Sequence, residues 1–126
     1  MRTRGFTLLE MLIAVVIIAV VGTTLSTAIG SVASQTFSLE RRTVANWISQ
    51  NELTRLRLDL RANPRSLAEG NSKTRIRMAD REWEVETTVI ATDSPLIRRV
   101  EVEVYEFDQA QRRGPYDRLV GFVGRH

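Results

Sequence analysis

The chain has 126 residues, a formal net charge of +3 and no cysteine. It therefore has room for one small domain, and it cannot contain a disulfide framework, a thiol nucleophile or a cysteine metal site. Its cations are almost all arginines, with Lys73 the only lysine, and acidic residues are mixed among them, so no nucleic-acid partner is expected.

An apolar run begins at Phe6, and within it only Glu10 is charged. Residues 6–29 are long enough to cross a bilayer core, which needs about 20 helical residues. Arg2 and Arg4 precede the run, so the positive-inside bias predicts a cytoplasmic N-terminus. A secretory signal is the alternative, but its apolar region is shorter and has no use for a carboxylate.

Glu10 is expensive at its position, because a carboxylate inside a membrane helix costs about 2.5–3.5 kcal/mol. The residue either lies near the membrane surface, where the cost is small, or occurs there by chance, or has a partner. The spacing places it one helical turn from Phe6, on the same side of the helix.

The segment Gly5-Phe6-Thr7-Leu8-Leu9-Glu10, behind a short basic leader, resembles the type IV prepilin signature. The resemblance implies that a prepilin peptidase cuts between Gly5 and Phe6, that Phe6 is then N-methylated, and that Glu10 acts in subunit registration. Gly5 suits a cleavage site because it lets a protease approach the backbone closely. In a fibre, Glu10 of one subunit would neutralise the N-terminal amine of its neighbour, which fixes register rather than adding net stability.

No proline or polar cluster interrupts the residues after Phe6, so the sequence predicts one helix from Phe6 to Ala62, ended by Asn63-Pro64. A helix of about 85 Å is too long for a small globule. Part of it must lie in a membrane or pack on other subunits. We expect a cleaved leader (1–5), a transmembrane and assembly helix (6–29), an amphipathic continuation (30–63) and a β-rich head (64–126).

The second half of this helix carries two apolar stripes at about 100° per residue. The first holds Phe37, Val44, Ile48 and, more loosely, Trp47; the second holds Ala45, Leu53, Leu56 and Leu60. One stripe would cover the chain's own sheet and the other a neighbour's helix, or the two would form one broad core-facing stripe. We assign a partner-binding face to five residues: Phe37, Val44, Trp47, Ile48 and Asn51. A core position is the alternative for Trp47.

Alternating residues predict strands over 74–79, 83–89, 100–104 and 118–123. Tight turns are expected at Asp80-Arg81 and at Asp93-Ser94-Pro95, and a polar loop over 109–117. The fold class is therefore α+β, with a long N-terminal helix packed on a small antiparallel sheet.

The head shows no assembled catalytic group. The alternating glutamates are interpreted as a solvated strand face rather than as carboxylate pairs or calcium ligands; they are Glu82, Glu84, Glu86, Glu101 and Glu103. The single histidine, His126, ends the chain. We expect no enzyme, no cofactor and no metal site.

The whole chain is similar to the I-type minor pseudopilins of bacterial type II secretion, which have a type IV pilin-like fold. The similarity lies in the leader and four further segments: 44–53 (VANWISQNEL), Arg81-Glu82-Trp83, Arg98-Arg99-Val100 and 119–122 (LVGF). Ser49 departs from the pattern, since a small Ala is frequent there.

This resemblance implies a subunit held in the inner membrane by one span, with its head in the periplasm. Its implied partners are the J- and K-type minor pseudopilins at the pseudopilus tip and the inner-membrane assembly platform. The complex would initiate the pseudopilus and support export of folded proteins across the outer membrane. The alternatives are a minor pilin of a type IV pilus or competence system, and a single-pass periplasmic binding domain.

Overall fold

A computed structural model describes residues 5–63, 65 and 67–124. It contains one helix and four strands: α1 (Leu8–Ala62), β1 (Gly70–Met78), β2 (Arg81–Ala91), β3 (Ile97–Asp108) and β4 (Gln111–Gly124). The expected helix is present, and the four strands confirm the α+β fold class. The chain divides into two compact units, and the boundary falls within α1 between Ser38 and Leu39.

The first unit is the apolar part of α1. An 18-residue window in α1 has a mean hydropathy of 2.5, none of it is buried, and the helix is long and apolar enough to cross a membrane. Hydroxyl groups between Thr23 and Thr36 donate hydrogen bonds to carbonyls three or four residues earlier. These bonds satisfy the polar side chains within the helix itself, which lowers the cost of placing them in an apolar environment.

The second unit is a head in which the remaining part of α1 lies on one face of the sheet. The strands follow each other in the order β1-β2-β3-β4, all antiparallel. Alternate residues of β2 and β3, including Val85, Val100 and Val102, point towards α1 and are buried. Trp83 is fully buried at the centre, and its indole N–H donates to the carbonyl of Met78 at 3.0 Å.

Two of the hairpin connections differ from the sequence prediction, the first in its position and the second in its length. Ala79 and Asp80 both have positive φ, as do Gln109 and Ala110, which is the geometry of two-residue turns that match the twist of the strands. The first turn is therefore displaced by one residue from the predicted Asp80-Arg81. The predicted polar loop over 109–117 is wrong, because β4 already begins at Gln111.

The error has a physical cause in the neighbouring strands. Arg112 opposes Phe107 and stacks over the ring of Tyr105, with its guanidinium carbon 3.4 Å from the ring centroid. Contacts of this kind stabilise a polar segment as a strand, whereas its own composition favours a loop. The turn expected at Asp93-Ser94-Pro95 does lie in the connection between β2 and β3.

Candidate assembly and partner-binding surfaces

The residues at the predicted cleavage site are accessible. Phe6 is 85% exposed, and a Cβ atom placed on Gly5 would meet nothing within 4 Å. Both residues precede α1, so the backbone at this bond is not protected by helical hydrogen bonds.

Glu10 closes a reciprocal capping box with Thr7. Its carboxylate accepts a hydrogen bond from the backbone N–H of Thr7 at 3.0 Å, and the Thr7 hydroxyl accepts one from the backbone N–H of Glu10 at 3.2 Å. Thr-Leu-Leu-Glu matches the spacing of this motif, so the signal is present in the sequence, although the hydropathy of the apolar run does not reveal it. Glu10 therefore has a local structural role in addition to any role between subunits.

The predicted partner-binding face divides into two parts. Val44 and Ile48 are 7% and 2% exposed and belong to the core, together with Ala45, Leu53 and Leu60. Their assignment to a partner-binding face is therefore wrong. The buried members of the two stripes adjoin on the side of α1 that faces the sheet and form one broad core-facing stripe, which was the alternative, but this stripe does not include Trp47 or Phe37.

Trp47, Asn51 and Phe37 do not join this core. Trp47 is 60% exposed, so it is not a core residue, and Asn51 is exposed as well. Leu58, which the sequence analysis did not single out, is 58% exposed and lies three helical turns beyond Trp47 on the same side. Phe37 is 58% exposed within the first unit. Trp47 and Leu58 thus leave apolar side chains without cover on the side of the head helix that faces away from the sheet.

Ser49 ties α1 to β4. It is fully buried, and its hydroxyl donates a hydrogen bond to the carboxylate of Asp117, which also accepts one from the Asn46 side chain at 3.5 Å. An alanine could not make the first bond and would leave the Asp117 carboxylate with fewer donors. Ser49 on α1 is thus matched to an acid on β4.

A second polar link joins the start of the head helix to the sheet. The Glu106 side chain is 8% exposed, and its carboxylate lies 3.4 Å from Nε of Arg41 and 3.6 Å from Nε of Arg81. Arg81 also lies 3.8 Å from the carboxylate of Glu40. A nearly buried carboxylate with two cations is tolerable, whereas the same carboxylate alone would be costly.

On the outer face of the sheet, Glu82 is exposed as expected, whereas the other four glutamates of the predicted solvated face form a network of ion pairs. Arg112 contacts Glu84 and Glu86 at 3.3 and 2.6 Å, and Arg118 contacts Glu101 and Glu103 at 2.9 and 3.3 Å. The Glu84 side chain is only 11% exposed. No group of three or more potential metal ligands occurs within the described residues.

The shifts in pKa follow from these contacts. The pKa of Glu86 is lowered chiefly by the hydrogen bond from the Asn71 side chain, against an opposing effect of burial. The pKa of Glu101 is lowered chiefly by the hydrogen bond from Arg118, again against burial. Burial raises the pKa of Tyr105, and its hydrogen bond to Glu103 adds to the rise. All of these groups hold the sheet together, and none is arranged around a cavity as a reactive pair.

A membrane-length apolar helix that continues into a helix packed on a four-stranded antiparallel sheet, behind a Gly-Phe-Thr-Leu-Leu-Glu start, defines a type IV pilin-like protein. The family described as "Prokaryotic N-terminal methylation motif" matches residues 1–26. The family described as "Type II secretion system (T2SS), protein I" matches residues 39–124. The chain belongs to this type II secretion system protein I family.

Curated relatives agree with that assignment over most of the chain. A protein named type II secretion system protein I from Pseudomonas aeruginosa is 37% identical, over 98% of this chain and 96% of the relative. Proteins of the same name from Klebsiella pneumoniae and Escherichia coli are 32% and 34% identical, over about four-fifths of each chain. The chain is thus a pseudopilin, which is a structural subunit of the type II secretion system. Its apolar helix is consistent with anchorage in the inner membrane.

Proposed function

We propose that this subunit assembles with the J- and K-type minor pseudopilins at the tip of the pseudopilus. There the complex initiates the pseudopilus and supports export of folded proteins across the outer membrane. The observation that carries the proposal is Trp47, a large aromatic side chain that is 60% exposed on the outer side of a helix whose inner side forms the core.

An exposed tryptophan on a regular helix favours a binding surface. Tryptophan is enriched among the residues that contribute most to protein interfaces, where it combines a large apolar area with few rotatable bonds. Leu58 extends the apolar surface along the same side of α1, with Asn51 between the two as a polar group. We assign the partner-binding face of the head to Trp47, Asn51 and Leu58, with Phe37 as a separate contact in the first unit.

The N-terminal segment would direct the subunit to the inner membrane before it joins the pseudopilus. We propose that the prepilin peptidase cuts between Gly5 and Phe6, that Phe6 is N-methylated, and that the apolar helix holds the subunit in the inner membrane until the assembly platform extrudes it. The N-terminus then lies in the cytoplasm and the head in the periplasm, consistent with Arg2 and Arg4 before the span. The role proposed for the subunit is structural and needs no cofactor, metal or catalytic activity.

The proposal is tested with the full-length chain, co-expressed in membranes with J- and K-type subunits of the same organism and purified in detergent. We expect a complex of all three, and we expect Trp47→Ala to weaken it at least tenfold, which is the usual effect of truncating a central aromatic. Leu96→Ala is the matched control, because Leu96 is 59% exposed on the connection between β2 and β3. Failure of the wild-type chain to bind either partner would refute the proposal, and equal effects of the two substitutions would refute the assigned face.

A further inference from the structure

The far (C-terminal) half of β4, Leu119–Gly124, is an edge strand that lacks the usual protection against pairing with another strand. β4 pairs only with β3, so alternate backbone N–H and C=O groups along it have no partner within the sheet. The segment Leu-Val-Gly-Phe-Val-Gly contains neither a charge nor a proline. Val120 and Phe122 are 42% and 60% exposed on the face turned away from α1, so the edge also presents apolar side chains.

The other edge of the sheet is protected in a way that this segment is not. β1 carries Lys73, Arg75 and Arg77 at alternate positions of its exposed face. Charged side chains along an edge oppose pairing with another strand. The two edges of the same sheet therefore differ, and only the far half of β4 remains suited to accept a further strand.

A groove beside this segment supplies positive charge. It has a volume of about 290 Å³ and is lined by Arg57 and Arg61 of α1 and by Phe122, Val123 and Gly124 of β4. The two arginines lie one helical turn apart on the same side of the helix. Neither of these two helix residues forms an ion pair with any residue in the described part of the head. Most of the arginines on the sheet do form ion pairs.

We propose that Leu119–Gly124 binds an extended, acidic segment of a partner subunit, which adds to the sheet as a fifth strand beside β4. Backbone hydrogen bonds to the free edge would supply affinity, as in other cases of strand addition. Side chains of the added strand alternate between two faces: one set would cover Phe122 and Val120, and the other would point into the groove. A carboxylate in the groove would pair with Arg57 and Arg61, ideally in a bidentate manner. This inference rests on the proposed function, since it takes the partner to be a subunit of the tip complex.

The test is hydrogen exchange of the full-length chain in detergent, alone and with the J- and K-type subunits. We expect the amides of 119–124 to exchange at least tenfold more slowly in the complex, while those of β1 remain unchanged. The double substitution Arg57→Glu, Arg61→Glu should weaken the complex at least tenfold. The control is Arg42→Glu, Arg77→Glu, which reverses two charges on exposed residues away from the groove.

The outcomes separate the two proposals. A complex that forms without slowing exchange at 119–124 overturns the strand addition and leaves the proposed function intact. If no complex forms, both the strand addition and the proposed function are refuted. Slowing that follows the concentration of this chain alone would identify a second copy as the occupant and overturn the partner assignment. Equal effects of the two double substitutions would overturn the acidic character of the segment.

Discussion

The carboxylate of Glu10 and the hydroxyl of Thr7 exchange hydrogen bonds with each other's backbone N–H groups at the start of α1. The acid that a neighbouring subunit would use for registration is thus already engaged within its own chain. The capping box satisfies two N–H groups that a helix start otherwise leaves without a partner. It also gives the carboxylate a donor inside an apolar segment, which lowers the cost of inserting it into a membrane.

Substitutions at these two residues separate capping from registration. Glu10→Gln keeps a side-chain oxygen that accepts the Thr7 N–H but removes the charge, whereas Thr7→Ala keeps the charge and removes the cap, at a cost of about 1 kcal/mol to the helix. If the charge registers subunits, Glu10→Gln should abolish secretion and Thr7→Ala should reduce it only mildly. The measurement is export of a secreted enzyme by cells that carry each variant. Loss of secretion in Thr7→Ala together with normal secretion in Glu10→Gln would show that Glu10 acts only as a cap.

Maturation should depend on Gly5 and not on the glycines within α1, which are Gly22 and Gly30. A side chain at Gly5 would meet nothing within 4 Å, and the same holds for Gly22, so neither substitution disturbs the fold. Gly5→Leu should leave an uncut precursor in the membrane, because the added side chain blocks close approach of a protease to the backbone. Gly22→Ala is the control and should be cut normally. The two forms are distinguished by the mass of the intact purified chain, and normal cleavage of Gly5→Leu would refute the assigned site.

The spacing of apolar side chains predicted the strands and the helix of the head correctly where that spacing is regular. The alternation around Trp83 and Val102 matches strands whose inner residues are buried, and the helix ends before Pro64 as expected. The prediction of a loop over 109–117 was wrong because composition describes a segment in water, whereas Arg112 contacts Tyr105 of β3 and two glutamates of β2. Only the assembled sheet brings these groups together.

The extent of the partner-binding face could not be predicted from the sequence either. A helical wheel places Val44, Ile48 and Trp47 within about 100° of one another, but it cannot show how far the sheet wraps around α1. The structure sets that boundary between Ile48, which is 2% exposed, and Trp47, which is 60% exposed. The ion pair between Arg41 and Glu106 was also invisible to sequence reasoning, because the two residues are far apart in the chain and carry no shared motif.

Gly121 should be required by the close approach of β4 to α1. A Cβ atom on this residue would lie 2.8 Å from a methyl carbon of Leu53, which is itself 5% exposed. Gly121→Ala should therefore lower the free energy of unfolding of the head by about 1–3 kcal/mol, the usual cost of overpacking a core. Thermal unfolding followed by circular dichroism measures the change, with Gly124→Ala as control because its Cβ would meet nothing within 4 Å.

A double-mutant cycle identifies the cause of that loss. Leu53→Ala removes the opposing methyl groups, so the double variant should be more stable than the sum of the two single effects predicts. Strict additivity would show that Gly121 matters for a reason other than contact with Leu53.

The head should lose stability in acid through the outer face of the sheet. The lowered pKa values of Glu86 and Glu101 mean that these carboxylates bind protons less readily in the folded chain than in the unfolded one, where the ordinary value is 4.5. Their stabilising contribution is therefore complete above pH 4.5 and is lost as the pH falls through the lowered values. We expect the Tm of the head to be flat near neutrality and to fall below about pH 4.5.

The double variant Glu86→Gln, Glu101→Gln should show a lower Tm at neutral pH and a shallower fall in acid, because two of the titrating groups are gone. Asp80→Asn, in the turn between β1 and β2, is the control for removing a carboxylate elsewhere. Added salt should reduce the difference between the double variant and the wild type at neutral pH, because these ion pairs lie at the surface and are screened. Identical slopes of Tm against pH in the wild type and the double variant would show that other carboxylates control the acid transition.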